Sequence, residues 1–353
     1  MEARQVDALP KDGRWQFEPK WDGFRCLAFR DGQAVDLRAK SGKPLGRYFP
    51  DIVECLKKTR AKTFAVDGEL VIPVGGKLSF EALQLRLHPA ASRVRKLAAE
   101  SPAKLILFDI LGAAEDVTAK PLLERRALLE DLFAGLDDCE ALRLSPFTRQ
   151  RNIAARWLGR AGRGSLDGVV AKRLDAPYRC GERDMLKIKC LRTADCVVGG
   201  FRYAEGTDIV GSLLLGLFDA DGKLDHVGFT SALSLDERKR LTRKLEALRG
   251  APGFTGNAPG GPSRWSTARS GEWQPLKTKL VAEVQYDHVT DNRFRHGTKF
   301  LRWRPDKAPR QCTFEQLHAE VRPSALIRDI MRGQGGLPRK VGVEQIGAST
   351  TGR

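Results

Sequence analysis

"EPKWDGFR", residues 18–25, decides how this chain is read. Lys20 stands directly before Trp-Asp-Gly, and Arg25 follows five positions later. The surrounding residues 14–40 read as strands: "RWQFEPKWDG" leads into "FRCLAFRDGQAVDLRAK", which alternates around an "RDG" turn. A lone lysine beside a turn is ordinarily a surface residue. Three later stretches change that reading: "DGEL" at 67–70, "DGVVAK" at 167–172 and "LKIK" at 186–189. In the last, Lys187 and Lys189 are two apart and share one strand face. A lysine after a strand, then strand-borne acids, then two cations on one face form a set that can hold a nucleoside triphosphate and its metal.

Composition bounds the alternatives. The chain has 353 residues, enough for two domains with sizeable cores. Hydrophobic residues make up 41% and charged residues 30%, an ordinary globular balance. No apolar run long enough for a membrane helix is present, and "MEARQVDALP" lacks an apolar export core. The seven cysteines are odd in number and irregularly spaced, so free thiols in a reducing cytoplasm are expected. No CxxC pair points to structural zinc. Lys plus Arg is 61 against 44 for Asp plus Glu, a net +17, which favours a polyanionic partner and nucleic acid first.

Along the chain, "YFPDIVECLKKTRAK" reads as a short helix after Pro50 and "TFAVDGELVIP" as a strand. "SFEALQLRLHPAASRVRKLAAE" has helical period with Ser79 as its N-cap, and "AKLILFDIL" is an apolar run of strand length. "PLLERRALLEDLFAGL" and "NIAARWLGRAGRG" read as helices, and "LDGVVAKRLDAP" and "RDMLKIKCL" as strands. After about residue 192 the pattern becomes short strands with glycine turns and one helix, "LSLDERKRLTRKLEALR". That pattern predicts a small β-barrel such as an OB-fold. From "GQGGLPRK" onward the residues are polar and glycine-rich, and a mobile tail is expected.

"KWDG" matches the KxDG signature of the covalent nucleotidyltransferases, which comprise DNA ligases, RNA ligases and mRNA capping enzymes. "VDGEL" resembles the third motif of that superfamily, "LFDIL" its aromatic-bearing neighbour, "DGVVAK" the fourth and "LKIK" the fifth. "RHGTKFLRWRPDK", 295–307, resembles the sixth. The fuller strings "EPKWDGFR", "SGKPLGRYFPD" and "FRHGTKFLRWRPDK" look most like small bacterial ATP-dependent DNA ligases of the C type. The resemblance implies an α+β fold: an ATP-grasp-like nucleotidyltransferase domain of antiparallel sheets with helices at 1–192, an OB-fold barrel at 193–325, and a flexible tail at 326–353. A hinge is expected near residues 190–195.

The chemistry implied is nick sealing in duplex DNA. ATP would adenylylate Lys20, AMP would pass to the 5′-phosphate, and the 3′-hydroxyl would displace it. Free lysine has a pKa near 10.4, so it needs help to act as a nucleophile, and nearby positive charge from Lys187, Lys189 or a metal would supply it. Glu69 and Asp167 are oxygen ligands suited to Mg²⁺, or Mn²⁺ in its place. Lys187 and Lys189 would contact the α-phosphate. Arg302, Arg304, Asp306 and Lys307 would orient the leaving pyrophosphate. The resemblance further implies that Phe108 stacks on adenine, Glu18 reads its amino group, Arg25 holds the ribose or the nick phosphate, and Gly23 permits close backbone approach. Asp22 is either catalytic or a turn residue. Lys40 stands where relatives often carry arginine, and Asp167 where many carry glutamate. The five histidines show no ligand spacing and receive no role.

A monomer acting in the bacterial cytoplasm on nicked DNA, with no membrane partner and with repair-protein partners unidentified, is the expected setting. An NAD-dependent ligase is disfavoured because the extra N-terminal domain and zinc finger of that group are not found. An RNA ligase, a capping-type enzyme and a non-catalytic DNA-binding relative remain as alternatives.

Overall fold

The computed structural model describes residues 1–136, 139–159, 161, 166–260, 272–290 and 292–317. The first half is built on two sheets. One has the order Ala3–Gln5, Met185–Lys189, Leu166–Arg173, Trp15–Trp21. The other runs Ala34–Ala39, Phe24–Asp31, Thr63–Val71, Lys104–Gly112, Leu142–Leu144. Pairing is antiparallel except where Ala3–Gln5 meets Met185–Lys187 and where Leu105–Leu107 meets Leu142–Leu144. Helices Pro50–Lys58, Phe80–Arg86, Ala91–Glu100, Leu122–Ala134 and Arg151–Gly159 accompany the sheets.

The expected helix of residues 79–100 is two helices. Ser79 caps the first, its hydroxyl accepting from the Ala82 amide at 3.1 Å. The break falls at the segment holding Pro89, whose ring and missing N–H cannot continue a helix. Cys55 and Cys139, 84 residues apart, form a disulfide with Cα atoms 5.1 Å apart, which corrects the expectation of seven free thiols. The fold brings together two cysteines that spacing alone does not connect.

Beyond Cys190 and Leu191 the chain enters strand Arg192–Tyr203 at once. The expected 190–195 linker is therefore mostly barrel strand. Strand order is Leu224–Thr230, Val210–Phe218, Arg192–Tyr203, Val281–Tyr286, Lys299–Trp303. A bridge between Thr230 and Thr298 joins the first strand to the approach of the last and closes the barrel. The Thr230 hydroxyl donates to the Thr298 carbonyl at 2.8 Å. The interior is filled by Val197, Phe201, Leu213, Leu215, Val284 and their neighbours, and helix Leu235–Glu246 packs against it through Leu241 and Leu245. That helix begins at Ser234 in a capping box with Glu237. The predicted tail lies outside the described residues.

Candidate active site

Sheet register explains why the motif residues converge. Lys20 and Lys189 are both paired with Gly168, one on each side. Glu18 and Lys187 are both paired with Val170, and Gln16 is paired with Lys172. Alternation therefore puts Gln16, Glu18, Lys20, Lys172, Lys187 and Lys189 on one face. The other face carries Phe17, Val169, Ala171, Leu186 and Ile188, which bury themselves against Ala154 and Leu9. The hydrophobic effect thus fixes the register, and the register aligns the cations.

Two residues escape this alternation because each sits at a bulge. The pairing shifts between Leu166 and Gly168, which re-aims Asp167 at Lys20, 2.5 Å away. In the second sheet it shifts between Asp67 and Gly68, opposite Asp109 and Leu107. Phe108 lies between those partners and lines the cleft instead of joining the core. The two motif glycines are demanded by close approach. A Cβ at Gly168, whose φ is +142°, would lie 2.0 Å from the Ile188 carbonyl oxygen, and one at Gly23 would lie 2.1 Å from that of Leu70.

The cleft has a volume of about 710 Å³, and its lining includes Glu18, Lys20, Arg25, Lys40, Glu69, Phe108, Lys172 and Lys187. Glu18 is buried, with one oxygen accepting from Gln16 at 2.8 Å and the other paired with Lys172 at 2.9 Å. Lys172 also donates to the Phe108 carbonyl at 3.1 Å and stands 4.7 Å over its ring. Arg25 is gripped by Asp67, with Nε–Oδ1 at 3.0 Å, and Tyr178 donates to the other oxygen of Asp67 at 2.8 Å. Lys40 pairs with Glu2 at the exposed rim, 2.7 Å apart.

Burial works to lower the Lys20 pKa, but the Asp167 carboxylate, aided by Glu69 and Asp22, reverses this and holds it above the ordinary lysine range. That departs from the expectation of a lysine made neutral by its neighbours. Lys187 does shift down, through burial first and then the charges of Lys189 and Lys20. Burial pushes the Glu69 carboxyl up to about 8 against the pull of Lys20 and Arg25.

The C-terminal part of the sixth motif lies elsewhere. Arg304 is paired with Asp195 at 2.9 Å and Asp306 at 2.8 Å, Lys307 with Asp195 at 2.8 Å, and Arg302 with Glu283 at 2.6 Å. None of Arg302, Arg304, Asp306 and Lys307 lines the cleft. What the barrel presents to the cleft side is the start of that motif, Arg295 and His296, together with Asp287 and His288. Asp287 pairs with Lys189 at 2.6 Å, and Arg295 with Asp22 at 2.9 Å. His288 stands 3.5 Å from Asp22, and His296 lies 3.1 Å from both Asp287 oxygens. The sequence reading gave no role to these histidines and missed Lys172, Asp67 and Asp287. Lys172 was legible: counting by twos from Gly168 reaches it. Asp287 and His288 carry no such signal, because domain packing alone brings them here, whereas Arg295 and His296 open the stretch 295–307 that resembles the sixth motif.

Comparison with known proteins bears directly on this arrangement. Residues 3–189 match the model of the ATP dependent DNA ligase domain, and residues 206–307 match that of the ATP dependent DNA ligase C terminal region. The chain belongs to the ATP-dependent DNA ligases. It is 42% identical over 342 residues to DNA ligase C2 of Mycolicibacterium smegmatis, covering 92% of this chain and 96% of that one. To DNA ligase C of Mycobacterium tuberculosis it is 41% identical over 349 residues, covering 94% and 96%. Among solved structures, a Lig E DNA ligase aligns with a TM-score of 0.56 at 16% identity, over 86% of this chain and all of that one, which supports the fold. The ligase is thus a small bacterial ATP-dependent enzyme with a nucleotidyltransferase unit and an OB-fold.

Whether the carboxylates suit a divalent cation can be judged from their number. Among the described residues no group of three or more metal-ligating side chains occurs. Mg²⁺ commonly takes one or two carboxylates and completes its shell with water and substrate phosphates, so Glu69 and Asp167 fit that pattern.

Proposed function

We propose that Lys20 of this ligase takes AMP from ATP and passes it to the 5′-phosphate of a nick in duplex DNA. The observation that carries this is the alignment of Lys20 and Lys189 across Gly168, with Asp167 between them. Glu18, kept as an acceptor by Gln16 and Lys172, accepts from the adenine amino group. Phe108 stacks on the base, and Arg25 holds the ribose side. Lys187 and Lys189 neutralise the α-phosphate, which in-line phosphoryl transfer requires more than covalent help.

Lys20 cannot attack while its ammonium is held by Asp167. Glu69 and Asp167 would hold Mg²⁺ or Mn²⁺, which when bound supplies charge neutralisation for the phosphates. Lys20 attacks once it is released from Asp167 and its proton has passed to water, and the like charges of Lys187 and Lys189 favour that neutral form. Arg302, Arg304, Asp306 and Lys307 meet the leaving pyrophosphate only after the barrel turns that face to the cleft, a rigid-body motion. Lys40, freed from Glu2, and Asp22, freed from Arg295, then meet the nick. Basic barrel residues grip the DNA backbone without reading sequence.

The ligase acts as a monomer in the cytoplasm, in DNA repair. The similarity to the multifunctional non-homologous end joining protein LigD of Pseudomonas aeruginosa, 29% identical over 321 residues that cover 87% of this chain and 35% of that one, supports that role. The test is incubation with α-labelled ATP or GTP and Mg²⁺, then a denaturing gel, with Lys20→Ala alongside. Label from ATP on the unaltered protein alone is expected. Label on Lys20→Ala would move the nucleophile elsewhere, and label from GTP would overturn the adenine reading.

A further inference from the structure

We infer that Asp287, on the barrel turn after strand Val281–Tyr286, stands in for the nucleotide phosphate against Lys189 and thereby tunes ATP entry. The inference rests on Lys189 being a phosphate ligand, as proposed above. Lys189 is bracketed by two carboxylates, Asp287 at 2.6 Å and Asp167 at 3.8 Å, and Lys20 shares Asp167. The two lysines and two aspartates of this group balance in charge. Asp287 is only 16% exposed, and His296 faces both of its oxygens, so it is held toward Lys189 and not swept by solvent. The contact is anchored on both sides. Arg295 binds Asp22 and lies 3.4 Å over the Phe80 ring, and His288 faces Asp22.

An α-phosphate arriving at Lys189 would stand beside the Asp287 carboxylate, and like charges at that distance repel. Asp287 must therefore withdraw, and with it the barrel turn. The same contact that neutralises the resting site sets a threshold for nucleotide binding and couples binding to release of the barrel face. Asp287 is a positioning residue: it acts through Lys189 and touches no reacting atom.

The test uses the full chain with Asp287→Asn, Asp287→Ser and Asp287→Glu. The probe is an ATP analogue with a methylene between the α and β phosphorus atoms, which binds but cannot transfer AMP. Calorimetry is expected to show about 3–10-fold tighter binding for Asn and Ser, and unaltered binding for Glu, which keeps the charge. Lysine labelling by ATP should show a KM lowered by a similar factor and a maximal rate within about twofold. Unaltered or weaker binding in folded Asn and Ser variants would overturn the inference while labelling of Lys20 still upheld the ligase reading. Failure of the unaltered protein to label at all would remove that reading, and this inference with it.

Discussion

The ligase contains two cationic networks built from motif residues, and they differ in what satisfies them. In the cleft, Lys20 and Lys187 line the open volume with Glu69, and Lys189 shares their sheet face beside Asp167. On the barrel, Arg302, Arg304 and Lys307 are closed onto Glu283, Asp195 and Asp306. The first network is organised around a space and the second around itself. Both are equally conspicuous as sequence motifs. A motif's charge marks potential, while its neighbours in the fold decide whether that charge is available to a ligand.

The largest expected effect tests the cleft network at its centre. Lys20→Ala should lower nick sealing by at least ~10³-fold, as loss of a nucleophile does, with little change in urea midpoint. Sealing within tenfold of the unaltered protein would break the contrast at its root.

Next comes the frame beneath the cleft. Arg125 and Asp109 form a buried bidentate pair at 2.8 and 3.1 Å, directly after Phe108. Asp109→Asn leaves the guanidinium buried without its charge partner and should cost about 3–5 kcal/mol of unfolding free energy. A loss under 1 kcal/mol by urea titration would show that water or another group replaces the carboxylate.

The barrel network should behave differently according to the step measured. Arg304→Ala is expected to leave binding of the non-transferable ATP analogue within twofold, since its partners are Asp195 and Asp306. Lysine adenylylation should fall by ~10²-fold, the scale expected when a charge-stabilising donor is lost. Equal, small effects on both would mean that the sixth motif serves the barrel alone.

The smallest effect concerns the barrel's stability. Burial, with the charges of Arg293 and Arg202 adding, pushes the His226 imidazole down to about 3. The folded state therefore excludes a proton that the unfolded chain binds below pH 6.5. The stabilisation is full above pH 6.5 and is lost progressively as pH falls toward 3. Between pH 7 and pH 5 the loss should be about 2 kcal/mol, and His226→Leu should flatten it. A pH-independent urea midpoint in the unaltered protein would place the imidazole in water instead.

How much was legible follows from the period of each element. A two-residue repeat is local, so "LKIK" revealed that Lys187 and Lys189 share a face, and "DGVVAK" contained Lys172 on the same count. Bulges are not periodic. Phe108 could be referred to the cleft by family resemblance, yet the apolar run "AKLILFDIL", 103–111, reads as core, and only the register shift turns the ring outward. Helix breaks at proline are local too, but the long period of residues 79–100 hid this one.

The two-part α+β organisation, the nucleotidyltransferase motifs and the lysine at their head are written in local pattern, because strand alternation, turn residues and motif spacing are properties of neighbours along the chain. Packing in three dimensions set the rest: Asp167 holds Lys20, Cys55 meets Cys139, Asp287 meets Lys189 and Arg295 meets Asp22, while Arg304 stays on the barrel with Asp195. Those contacts join residues 84 to 273 positions apart or depend on a bulge, and no local pattern encodes a distance that only packing closes.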